Sequence, residues 1–129
     1  MTRLRLLYKH EMISLEPNSY NTDSSSATVV LKNMVCQSLV RLDADMRFQP
    51  DLAVSWTVSP DWRVYRFKLR QGVRFHSGRA MDADVVAWNF NRLFDSRANS
   101  LLRRDYAGLA PVRVIGRDEV EFTFDAPCV

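Results

Sequence analysis

Gln49-Pro50-Asp51-Leu52-Ala53-Val54-Ser55-Trp56-Thr57-Val58, followed by Asp61-Trp62-Arg63-Val64-Tyr65-Arg66-Phe67-Lys68-Leu69-Arg70-Gln71-Gly72-Val73-Arg74-Phe75, is the stretch whose reading decides the fold. Trp56 and Val58 alternate with Ser55, Thr57 and Ser59, and Tyr65, Phe67 and Leu69 alternate with Arg66, Lys68 and Arg70. Successive side chains of an extended backbone point to opposite faces, so each run presents one face to a core and one to water. Ser59-Pro60-Asp61 has turn chemistry: proline presets φ, while serine and aspartate bond nearby backbone. The whole reads as a hairpin. Gln71-Gly72 permits a second turn, after which Val73 and Phe75 are expected to resume the apolar face.

Downstream, Asp82 is an N-cap residue type and Asp84 adds favourable charge to the first turn of a helix. Val86, Phe90, Leu93 and Phe94 form its buried stripe, with Trp88 to one side. Asp95 to Ser100 breaks the pattern, and Leu101 to Leu109 is expected to add a helical turn or two. Pro111 opens a last hairpin. Val112 and Val114 belong to one arm, Gly116-Arg117-Asp118 to the turn, and Val120, Phe122 and Phe124 to the other arm, with Glu119, Glu121 and Thr123 outside.

Upstream, Leu4, Leu6 and Tyr8 alternate with Arg3, Arg5 and Lys9, a half-buried strand that ends by Ser14-Leu15-Glu16-Pro17 because proline cannot donate to a ladder. Asn18 to Ser26 is a polar loop. Ala27, Val30, Leu31, Met34, Val35 and Leu39 then keep spacings of three and four, giving a helix with one apolar stripe. Its free N–H groups and positive dipole end face the loop Tyr20 to Asp23. Val40-Arg41-Leu42 reads as a short strand, Asp43-Ala44-Asp45 as a turn, and Phe48 to Leu52 leads into the central hairpin.

Composition narrows the function classes. The 129 residues are 47% hydrophobic, enough for one domain with a core. No run approaches the roughly eighteen apolar residues of a membrane span. No charged n-region, apolar h-region and cleavage site opens the chain, which leaves an exported protein already processed and a cytoplasmic one both open. The net charge is +3, but the 18 basic residues form the polar halves of strands, with acids interspersed, so a solvated face outweighs nucleic-acid binding. His10 and His76 have no Cys or His at ligand spacing, and nothing resembles a metal cluster. Cys36 falls in the first helical pattern and Cys128 near the end of the chain. An oxidising compartment would allow a disulfide between them, although two unpaired thiols, one half-buried, is the plainer reading. There is no G-x-S-x-G elbow, no H-E-x-x-H and no glycine-rich phosphate loop, so no catalytic residue and no cofactor is assigned. Trp56 and Trp62 are read as core.

In order, P-x-L-A-x-S-W, a polar turn, an aromatic-rich strand, L-R-x-G-V-x-F-H-x-G and an acid-capped helix resemble the family 5 solute-binding proteins of ABC transporters, the peptide- and nickel-binding type. The resemblance extends over nearly the whole chain. It implies an α+β fold of antiparallel hairpins with two main helices, forming the N-terminal part of a two-lobed periplasmic-binding-protein type II fold. Residues 1–42 would begin the first lobe (strand, loop, helix), and residues 43–129 would form a small extra domain. The remainder of the parent, including the second lobe, would lie outside this chain. The resemblance also implies capture of peptides or a similar small organic solute for a membrane permease, outside the cytoplasmic membrane. The alternative is the solute-sensing domain of a cytoplasmic transcription regulator of the same fold. Two places match positions that face the family's cleft: Tyr20-Asn21-Thr22-Asp23, whose amides and ring could hold a carboxylate, and Leu102, an apolar wall where relatives often place an aromatic ring. Nickel-binding members put a methionine and a tryptophan where this chain has Ser25 and Leu102, which makes a nickel chelate the weaker ligand. A face meant for the missing lobe would be apolar and could pair copies of the fragment.

Overall fold

The structure is a computed structural model that describes residues 36–95 and 106–128. Its first element pair is a small hairpin of β1 (Val40–Leu42) and β2 (Phe48–Pro50), antiparallel, with Leu42 opposite Phe48. Asp43 builds the connection. Its carboxylate accepts from the backbone N–H groups of Asp45 and Arg47, each at 2.9 Å, and from Gln49 Nε2 at 2.7 Å. An aspartate that bonds backbone just ahead of it substitutes for a regular turn. The same bonds favour the charged form, so Arg47 N–H first and the Gln49 amide second lower the Asp43 pKa.

The main sheet contains β3 (Ala53–Val58), β4 (Val64–Leu69), β5 (Arg113–Gly116) and β6 (Glu119–Thr123), all antiparallel, in the order β3-β4-β6-β5. The central hairpin is as its alternation requires: Trp56 pairs with Phe67 and Val58 with Tyr65. Ser59 makes the turn. Its hydroxyl accepts from Val64 N–H at 2.9 Å and donates to the Asp61 carboxylate, and its carbonyl accepts from Trp62 N–H at 2.9 Å. Trp62 occupies the left-handed region at φ 56° and is 49% exposed, so it is a turn residue and not the core residue expected. A side chain at the apex of a tight turn points away from both strands.

Helix α1 (Ala83–Asn91) continues as a short 3-10 turn, Arg92–Phe94. Asp82 caps it by accepting from Val85 N–H at 2.9 Å. The helix lies against the apolar face of β6 and β5. Val86 and Leu93 are buried as expected, and Phe90 and Phe94 pack half-buried on the core. Ala83 and Ala87 are also buried and let the helix approach the sheet closely. Trp88 points outward, with the Arg92 guanidinium 5.3 Å from its ring centre.

The core is organised by rings meeting edge to face. Phe122 meets Phe67 from the neighbouring strand at 5.3 Å and Phe90 from the helix at 4.8 Å, both near-perpendicular. Such contacts add about 0.5–1.5 kcal/mol each beyond the area they bury. Val120 beside them is fully buried.

Several expectations are corrected. Alternation puts Glu121 outside, yet it is buried, because β6 is an interior strand and its register sets Arg66 on one side of Glu121 and Arg113 on the other. Both guanidinium groups pair with its carboxylate. Phe75 is 45% exposed and does not rejoin the core. Beyond Gly72, at φ 75°, Arg74 bridges Ala80 in a tight loop, and Val73 alone packs inward. The first helical pattern does not extend through Leu39: Ser38 C=O and Leu39 C=O accept from Leu52 and Ala53 N–H at 2.9 and 2.8 Å, so this backbone is engaged with the start of β3. Cys36 is accordingly exposed. Tyr106 to Gly108 form turns, not a helix. The strand expected at Leu4–Tyr8, the part of the expected helix from Ala27 to Val35 and the helical turns expected from Leu101 to Asp105 fall outside the described residues. Among those residues there is one α-helix, and the fold is α+β with antiparallel sheets.

Candidate functional site

The residues assigned to the cleft, Tyr20, Asn21, Thr22, Asp23 and Leu102, all lie outside the described residues. The described residues show how the chain is held where it enters and leaves those segments. On the upstream side, Ser38 N–H donates to the Asp51 carboxylate at 3.0 Å and Gln37 Nε2 donates to the other oxygen at 3.1 Å. Together with the bonds from Leu52 and Ala53, these tie residues 37–39 to the start of the main sheet.

A second anchor joins the end of α1 to the start of the last hairpin. Asn91, the last residue of α1, clasps the backbone of Val112: Nδ2 donates to Val112 C=O at 3.0 Å, and Oδ1 accepts from Val112 N–H at 2.7 Å. A side-chain amide has a donor and an acceptor side by side, so it satisfies the backbone of Val112, just before β5, as a neighbouring strand would. Phe90 meets Tyr106 edge to face at 5.8 Å, and Leu109 bridges Phe124. Tyr106, Leu109 and Val112 are thus held against Phe90, Phe124 and Asn91. The asparagine clasp has no local signal in the sequence. Asn91 sits four residues before Asp95 in a polar-looking position, and nothing in its spacing marks a partner twenty-one residues on.

The outer face of the main sheet is a layer of ion pairs. Glu121 accepts from Arg66 Nε at 2.8 Å and lies 3.5 Å from Arg113 Nη1. Lys68 Nζ donates to Asp118 at 2.8 Å, and Gln71 Nε2 donates to the other oxygen of that carboxylate at 2.9 Å. The Lys68 ammonium, then the Gln71 amide, lower the Asp118 pKa, and Asp118 in turn raises that of Lys68. Arg66 thus has a carboxylate partner on the neighbouring strand, and Lys68 one in the β5–β6 turn. Tyr65 hydroxyl donates to Cys128 C=O, and burial pushes its pKa up, with charge on Cys128 adding to the shift. Cys128 N–H also donates to Trp62 C=O at 2.9 Å, at the turn end of the central hairpin, whereas Cys36 lies near the opposite end. The β3 strand between those ends is about 17 Å long at the usual strand rise. That is far beyond the Cα separation a disulfide tolerates, and both thiols are free and exposed. Among the described residues no group of His, Cys, Asp and Glu is arranged to hold a metal, and no helix is long and apolar enough to cross a membrane.

Among the described residues the fold is antiparallel hairpins covered by one α-helix, with an ion-paired outer face. The model of bacterial extracellular solute-binding proteins, family 5 Middle, matches residues 47–129, and the chain belongs to this family. It is 31% identical over 109 residues to the nickel-binding periplasmic protein of Escherichia coli K12, covering 84% of this chain and 20% of that protein. It is 42% identical over 85 residues to the probable di/tripeptide-binding protein 5 of Pseudomonas aeruginosa UCBPP-PA14, covering 60% of this chain and 15% of that one. Its fold matches that of NikZ from Campylobacter jejuni, solved in complex with Ni(L-His), with a TM-score of 0.75 and 28% identity over 89% of this chain and 22% of that one. The chain spans about a fifth or less of the length of these curated relatives.

Proposed function

We propose that this chain is part of the solute-capturing subunit of an ABC importer, one that takes peptides or a similar small organic solute outside the cytoplasmic membrane and presents it to a membrane permease. The observation that carries this reading is the family match over residues 47–129. The identity to a di/tripeptide-binding protein, 42%, supports a peptide-like solute over a nickel chelate. So do Ser25 and Leu102, which stand where nickel-binding members place a methionine and a tryptophan. Residues 1–42 would belong to the first lobe and residues 43–129 to the small extra domain. Tyr20, Asn21, Thr22 and Asp23 would offer backbone amides and a ring to a carboxylate, and Leu102 would wall the cleft without stacking. The subunit would make and break no covalent bond.

Binding to the folded state alone raises apparent stability by mass action, about 2.7 kcal/mol at a ligand concentration a hundredfold above Kd. The full-length parent, freed of co-purified ligand, should therefore melt at a higher temperature with a dipeptide and tripeptide pool. It should not respond to nickel–histidine. A shift with nickel–histidine and none with peptides would overturn the peptide assignment, and a shift with neither would overturn the proposal that this is a peptide or chelate receptor.

A further inference from the structure

We draw no further inference here: the strongest candidate, the exposed apolar patch on the β1–β2 hairpin formed by Leu42, Met46 and Phe48, carries nothing because nothing in the structure shows what covers it.

Discussion

Gly108 adopts φ 80°, and a Cβ built on it would lie 2.1 Å from Oδ1 of Asp125. Gly72 has a similar φ of 75° with open space around it. Both positions suit glycine because an L side chain in the left-handed region costs roughly 1–2 kcal/mol. Gly72→Ala should show that cost alone. Gly108→Ala should lower the denaturant midpoint further, and adding Asp125→Ala should bring the two variants level. Equal losses for the two glycine variants with Asp125 intact would mean that Asp125 yields freely and that no close packing exists there. Asn91 offers a second residue-scale test. Asn91→Ala leaves the backbone N–H and C=O of Val112 without their partner. Val112 is 4% exposed, and the loss should be about 1–3 kcal/mol. Hydrogen exchange of the Val112 amide should accelerate in the variant. Asn91→Asp should keep the amide protected, since a carboxylate oxygen still accepts from Val112 N–H, yet should remain less stable than the parent, since it has no proton to donate to Val112 C=O. An unchanged exchange rate in Asn91→Ala would count against the clasp.

At the scale of elements, the outer face of the main sheet holds together through charge. Asp118 joins the β5–β6 turn to β4 through Lys68, and Asp43 and Asp61 each organise one turn. All three carboxyls have pKa values lowered from the ordinary 3.8. A carboxyl depressed by folding contributes stability that is fully present above its unfolded pKa and is lost as pH falls through its folded one. The chain should therefore hold its stability down to about pH 4 and lose it progressively below. Asp118→Asn should flatten part of that acid limb in a series of urea melts. An identical pH profile for the variant and the parent would remove Asp118 from the explanation. Lys68 works in the opposite sense. Its raised pKa contributes stability that is complete below 10.5 and is lost as pH rises through the folded value. These pairs stand in water, so salt should weaken them.

For the molecule as a whole, the sheet keeps the two cysteines apart. Cys36 lies near the start of β3 and Cys128 near the turn that follows it, with an intervening strand longer than any disulfide can reach. Both thiols should react with a thiol reagent without denaturant, and oxidation should give no internally bridged monomer on non-reducing electrophoresis. A bridged monomer would contradict the strand order. The hairpin of β1 and β2 leaves Leu42, Met46 and Phe48 exposed. Two strands alone are marginally stable in water, so this hairpin depends on its attachment to the main sheet through Leu52 and Ala53.

The sequence by itself determined the elements whose signal is local. Alternation placed Trp56, Tyr65, Phe67 and Leu69 on one face of a hairpin, and Asp82 marked a helix start, because period and capping depend only on near neighbours. The order of those elements was also enough to suggest the family. Only the tertiary structure decided which strands lie in the interior. That placement buried Glu121 between two arginines, whereas the same alternation on an edge strand would have left it in water. It also made Asn91 a partner for Val112, left Phe75 and Trp62 exposed, and separated the thiols. Each of these depends on contacts between residues distant in the chain, which local spacing does not encode.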